Sequence, residues 1–190
     1  MYIAKNFEHL LGTPGFSDAL LKNHFTLYEG YVKNTNTAVE KLELLAKEGK
    51  RNQQEYMEIK RRFGWEWNGM RLHELYFGNM RSGGKALNEE SELAKKIIAQ
   101  WGSFEEWAKG FKATGAMRGI GWTILYRDEE SGELFSVWVN EHDEGHLAGA
   151  TPLLIMDVFE HAFMLDYGIK RVDYIEAFWR AIDWEIVATR

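Results

Sequence analysis

Apolar positions recur at steps of three or four from Leu20 through His24, Leu27, Tyr31, Thr35, Ala38 and Leu42 to Leu45. That spacing follows one face of an α-helix and predicts a long helix over residues 18–48. Ser17 stands ready as its N-cap with Asp18 in the first turn, and Gly49 ends it. A second stripe, Tyr56, Ile59, Phe63, Trp67, Met70, His73 and Phe77, predicts another long helix starting near Gln53. Only residues 49–52 join the two, so the pair is expected to fold back as an antiparallel helical hairpin. Residues 1–16 form a lead-in with a GTPG turn at 12–15. The helical period breaks at Arg81-Ser82-Gly83-Gly84, which marks the expected boundary between an N-terminal hairpin domain, 1–83, and a C-terminal domain, 84–190.

The pattern then changes character. Asn88 or Ser91 can cap a helix reaching about residue 100, and Ser103-Phe104-Glu105-Glu106 is a capping box for a helix to about residue 114. Residues 121–127 (GWTILYR) and 134–140 (LFSVWVN) are β-type runs joined by a polar segment containing Ser131-Gly132, a hairpin signal. The apolar run 152–156 predicts a third strand. Residues 172–187 predict one last helix, with Asp173 as cap and Ile175, Phe178, Ile182 and Ile186 on one face. The class is α+β: an N-terminal antiparallel helical hairpin followed by an α/β domain with a small three-stranded antiparallel sheet and flanking helices.

Composition narrows the chemistry. The 190 residues include no cysteine, which excludes a disulfide framework, thiolate zinc sites and iron–sulfur clusters. A metal, if present, must be held by His, Asp or Glu. A net charge of −6 with no basic stripe argues against nucleic acid as the main partner. No apolar run approaches the roughly 18 residues of a membrane span, and no secretory pattern opens the chain. A soluble, cytoplasmic protein with no membrane contact is expected.

Candidate chemistry concentrates at Asp157 and His161. Asp157 follows directly on the apolar run 152–156, where a carboxylate without a partner would be costly to bury. Asp and His four residues apart can simply cap a helix start. They can also offer a carboxylate oxygen and an imidazole to a first-row metal ion. A lone histidine on an apolar helix face is more often a satisfied core residue than a ligand. His24 and His73, however, each sit on the inner stripe of one arm of the expected hairpin. Both arms can face Asp157 and His161, giving three imidazoles and one carboxylate with room for solvent.

The wording of these segments resembles a known family. DVFEHAF, residues 157–163, is similar to the DVWEHAY signature of the iron/manganese superoxide dismutases. RLHELYFGN at 71–79 is similar to WNHTFYWN, GIGWTIL at 119–125 to GSGWTWL, and YVKNTN at 31–36 to YVNNLN. The resemblance implies one iron or manganese ion per subunit, held by His24, His73, Asp157 and His161, with superoxide as substrate. It further implies Tyr31 as a gate, Trp122 as a wall of the site and Tyr76 beside it. Arg171 and Lys170 are placed at the channel mouth, and Glu160 as a bridge to the ligand histidine of the other subunit in a homodimer.

Three departures bear on these expectations. The family's first ligand lies eight residues before the gate tyrosine. Here that position is Asn23, while His24 lies seven before, nearly two whole turns; His24 is therefore taken as the ligand, in a helix lacking one residue that relatives absorb. Tyr28 stands where relatives have a histidine, and Phe163-Met164 where they have two tyrosines. The glutamine that bonds the metal's solvent is missing, since Gly69 occupies one of its usual places and the other leads to His142. His142 is expected to fill the space left at Gly69, bonding the solvent with one nitrogen and Tyr31 with the other. The alternative function is a scaffold or assembly protein of the same fold with a degenerate metal site.

Overall fold

Two long helices carry the first half of the protein in the computed structural model, which describes residues 1–190. Helix α1, Asp18–Lys47, begins where the Ser17 hydroxyl accepts from the Leu20 N–H at 3.0 Å. It ends before Gly49, whose φ of 73° suits a residue without Cβ. Helix α2, Gln54–Gly78, runs back along it. Short helices α3, Glu92–Trp101, and α4, Phe104–Gly115, follow, capped by the Ser91 and Ser103 hydroxyls. Asn88 instead binds the Glu90 N–H in the preceding turn.

Strands β1, Gly121–Asp128, β2, Leu134–Asn140, and β3, Ala150–Asp157, form an antiparallel sheet in the order β2-β1-β3. β1 is central and buried from Gly121 to Tyr126, consistent with its unbroken apolar run. β3 is longer than expected and takes in Asp157, whose Cα pairs with that of Trp122. The register therefore places a carboxylate beside an indole at the end of the sheet facing the helical hairpin.

The single last helix expected over 172–187 is two helices. A short helix α5, Met164–Tyr167, precedes α6, Arg171–Ala181, and α7, Trp184–Ala188. Asp173 lies in the first turn of α6 rather than capping it. The break at Ile182 and Asp183 has a long-range cause. Arg81 N–H bonds the Ala181 carbonyl, Lys85 N–H bonds that of Ile182, and Asp183 N–H bonds that of Asn79, at 2.7–2.8 Å. These bonds take over backbone groups that a continuing helix would use, and Asp183 then caps α7. The Gly83-Gly84 segment is accordingly docked rather than loose: a Cβ on Gly84 would stand 2.3 Å from the Arg180 carbonyl oxygen.

Core packing is continuous from Leu20 and Leu21 on α1 through Phe77 on α2 to the sheet and α6. Behind the sheet, Trp107, Trp179 and Trp184 pack edge to face or tilted, with ring centres 5.4–5.8 Å apart. Asn79 ties the layers together. Fully buried at the end of α2, it donates to the Ile155 carbonyl and accepts from Arg190, each at 2.6 Å. Asn79→Ala removes the donor to the buried Ile155 carbonyl, while Arg190 keeps the Leu153 carbonyl; it should lower stability by about 1–3 kcal/mol, read as a shift in the urea unfolding midpoint.

Candidate metal centre

Four side chains from four separate elements converge where the hairpin meets the sheet. His24 comes from α1, His73 from α2, Asp157 from the end of β3, and His161 from the single turn Glu160–Ala162 that follows. One donor atom of each lies within 4.8 Å of the others. The Asp157 Oδ2 atom is 3.2 Å from His24 Nε2, 3.6 Å from His73 Nε2 and 3.2 Å from His161 Nε2. His24, His73 and Asp157 are shut off from solvent, and His161 is partly exposed.

Hydrogen bonds behind these atoms decide what they can do. His73 Nδ1 is bonded to the Gly69 carbonyl, which can only accept, so Nδ1 carries the proton and Nε2 presents a lone pair to the centre. Asp157 uses Oδ1 to accept from the Phe159 N–H at 2.8 Å, leaving Oδ2 for the imidazoles. Tyr174 donates to the Asp157 backbone carbonyl at 2.6 Å, and Tyr76 in turn donates to Tyr174 at 3.1 Å. The Nε2 atoms of His24 and His73 have no hydrogen-bond partner although both are buried.

Protonation follows from burial. It lowers the pKa of His24, and that of His73 further, so both are neutral near pH 7. Burial by itself would raise the Asp157 carboxyl, but the neighbouring His161 and His24 outweigh it and hold the group ionised. The result is a lone pair on His73 facing a carboxylate oxygen in a dry pocket, acceptor against acceptor. Only a cation makes that arrangement favourable. Two donors each about 2.1 Å from one ion and 90–120° apart stand about 3.0–3.6 Å from each other, which brackets all three distances to Oδ2. The donor set suits one iron or manganese ion.

The register on α1 agrees with the choice of His24. The helix is regular throughout, His24 and Tyr31 share its inner face, and Asn23 is exposed. Tyr31 stacks on His73 with ring centres 5.2 Å apart. Trp122 is fully buried and stands edge-on to His73 at 5.0 Å. Tyr76 lies 5.3 Å from the His24 ring. Tyr28 is core, its hydroxyl donating to Glu74 and accepting from the Lys5 N–H.

The expected bond between His142 and Tyr31 is present, while other expectations for His142, Gly69 and Arg171 are corrected by the geometry. His142 is buried beside the centre, but neither ring nitrogen faces it. Nδ1 accepts from the Trp122 indole N–H at 3.1 Å, and Nε2 lies 2.7 Å from the Tyr31 hydroxyl. The space at Gly69 is filled by Tyr31 and not by the imidazole: a Cβ there would stand 2.5 Å from the Tyr31 ring. Arg171, placed at the channel mouth by resemblance, turns its guanidinium to the carbonyls of Met117 and Gly119 and lies over Phe163. Lys170 is exposed. The cation beside the gate is Arg62, 3.7 Å above the Trp65 ring, and Trp65 packs on both Tyr31 and His142.

Sequence reasoning missed Trp65, Phe159 and Tyr174. Trp65, Gly69 and His73 recur every four residues, so the face of α2 that carries His73 held a readable signal for Trp65. Phe159 lies inside the 157–163 motif and stacks on both His142 and His161. Tyr174 carried no signal, because its hydroxyl partner is a backbone atom seventeen residues away.

The register yields a direct test. His24→Ala should lower bound metal at least about tenfold, while Asn23→Ala keeps the wild-type amount, both read by elemental analysis of purified protein. The reverse result would place the first donor one residue earlier.

Comparison with known proteins agrees with this geometry. The family model described as "Iron/manganese superoxide dismutases, C-terminal domain" matches residues 89–190. The superoxide dismutase (Fe) of Aquifex pyrophilus is 39% identical over 181 residues, covering 93% of this chain and 84% of the relative. The superoxide dismutase (Fe) of Sulfolobus acidocaldarius is 35% identical over 176 residues, 90% of this chain and 83% of the relative. The superoxide dismutase (Mn) 2 of Haloferax volcanii is 35% identical over 185 residues, 97% and 91% respectively. Relatives named for either metal thus span nearly the whole chain, and this protein belongs to the iron/manganese superoxide dismutase family.

Proposed function

We propose that the protein disproportionates superoxide, two superoxide ions and two protons giving dioxygen and hydrogen peroxide. The observation that carries this reading is the convergence of His24, His73, Asp157 and His161, in which the His73 lone pair faces an ionised carboxylate. An iron or manganese ion held by these four side chains would supply the one-electron exchange. A degenerate site on a scaffold protein would not need four donors kept in register from four elements.

The chain's own residues govern protons and access. His142 Nδ1 accepts from Trp122, so in the neutral ring the proton sits on Nε2 and is donated to the Tyr31 oxygen. Burial lowers the His142 pKa to about 4, which keeps the ring neutral through the physiological range. Tyr31 is therefore an acceptor toward His142, and its own hydroxyl proton is free for a reactant. Burial raises the Tyr31 pKa, so that proton is present at neutral pH. Peroxide formation consumes two protons, and Tyr31 stacked on His73 is placed to pass them inward from solvent. Trp122, Phe159 and Trp65 line the approach with rings and limit water around the donors.

The working unit we infer is a homodimer. Glu160 is exposed next to His161 and free to bond His161 of the partner subunit. Leu165, Ile169 and Val172, in the segment just after it, are 57%, 93% and 59% exposed, an apolar surface suited to burial against a second copy.

Metal-loaded protein should consume superoxide and metal-stripped protein should not. Tyr31→Phe should keep its metal and lose roughly tenfold or more in turnover, since it removes the proton carrier and leaves the donors. Pulse radiolysis with elemental analysis reads both, and a fully loaded wild type that leaves superoxide untouched would refute the proposal. Glu160→Ala should raise the dimer dissociation constant by about tenfold or more, because a buried imidazole loses its charged partner. Sedimentation at low protein concentration checks this, and an unchanged dimer would remove Glu160 from the interface.

A further inference from the structure

His142 reaches its place from a part of the chain with little packing of its own. Glu141, Asp143, Glu144 and Gly145 are exposed, while His142 between them is fully buried. Glu141 has a φ of 49°, a left-handed value rare for a residue with a side chain. Asn140 and Glu144 close the turn with two backbone hydrogen bonds of 2.8 and 3.2 Å. Short, exposed, polar turns open readily. Yet the hydrogen bond from His142 to Tyr31 is 2.7 Å long, and a shift of about 1 Å would break it. The ring contacts need a hold on the backbone behind them.

His146 supplies that hold. Its Nε2 lies 2.8 Å from the His142 carbonyl oxygen, and its Nδ1 lies 2.7 Å from the Tyr126 hydroxyl. A carbonyl only accepts, so Nε2 carries the proton, and in the neutral ring Nδ1 accepts from Tyr126. Burial raises the Tyr126 phenol to about 12, so its hydroxyl is intact to donate. Tyr126 and Trp122 are four residues apart on β1 and share one face of the strand. The sheet's irregularity does not disturb this. Leu125 pairs with Leu154 and Tyr126 with Pro152, so the extra residue, Leu153, belongs to β3. One strand thus grips the turn twice: Trp122 holds the His142 ring, and Tyr126 holds the His142 backbone through His146.

We propose that His146 is a positioning residue for the Tyr31–His142 pair, its bridge from Tyr126 to the His142 carbonyl fixing the imidazole that sets the Tyr31 hydroxyl. This rests on the reaction proposed above. His146 touches neither the donors nor the substrate, and it acts through the turn.

The test compares His146→Phe, His146→Gln and Tyr126→Phe in metal-loaded protein. Phenylalanine keeps a ring and removes both hydrogen bonds. Glutamine can restore both, accepting from Tyr126 and donating to His142. His146→Phe should retain its metal, lose roughly tenfold in kcat with KM unchanged, and show faster amide exchange across residues 140–146 by mass spectrometry. His146→Gln should return all three toward wild type. Tyr126→Phe should move kcat and exchange in the same direction, and it carries the test if the His146→Phe chain does not fold. Full turnover in His146→Phe, or a loss that glutamine does not rescue, overturns the proposal, as does unchanged exchange in the turn. Exchange reports on the clamp independently of catalysis. Faster exchange in His146→Phe beside a metal-loaded wild type that does not consume superoxide would mean that the proposed reaction has failed while the clamp stands.

Discussion

The structure depends on one unfavourable contact that a cation turns favourable. Asp157 Oδ2 stands within 3.6 Å of three imidazole nitrogens, and it, His24 and His73 are shut off from water. At least one of those nitrogens, His73 Nε2, is fixed as a lone pair by the Gly69 carbonyl behind it. Without a positive charge between them, His73 Nε2 would be an unmatched buried acceptor set against a carboxylate, costing several kcal/mol. With one, they become its ligands. Binding and folding are then coupled, since the donors are brought together only in the folded chain.

Much of the architecture can be understood as holding those donors still. Two helices of 30 and 25 residues are longer than a small core requires, yet their inner stripes place His24 and His73 side by side, ring centres 5.0 Å apart. The β1–β3 register sets Asp157 against Trp122, and Tyr174 fixes the Asp157 carbonyl from α6. Asn79 and the docked segment 80–85 lock the end of α2 to β3 and α7. Around the donors, a chain of polar contacts runs Trp122, His142, Tyr31, each bond fixing the next group's role as donor or acceptor. The proton on Tyr31 is thereby set by an indole two residues removed in the network.

Legibility in the sequence tracks the range of the interaction. The hairpin, the caps at Ser17 and Ser103 and the two histidine stripes were readable because helical periodicity and capping are local. His24 could be preferred to Asn23 because seven residues nearly close two turns, and α1 is regular. Interactions between distant segments were not readable. The apolar period Ile175, Phe178, Ile182, Ile186 runs straight through the break between α6 and α7, because that break is made by backbone bonds to residues 79–85. The spacing of His142 from Asn140 pointed to the right neighbourhood and to Tyr31 as one partner, but not to Trp122 as the other, which depends on how an exposed turn folds back. Arg171 could be recognised as a cation, but nothing local told that carbonyls of Met117 and Gly119 would take its guanidinium.

His24, His73, Asp157 and His161 are placed to share one metal ion. Anomalous diffraction from crystals of the iron-loaded protein, recorded on both sides of the iron edge, tests it most directly. One peak per chain is expected, within about 2.0–2.3 Å of the three Nε2 atoms and Asp157 Oδ2, with His142 still bonded to Trp122 and Tyr31. A peak that omits any of the four donors, or that recruits His142 or Asn23 as a ligand, would contradict it.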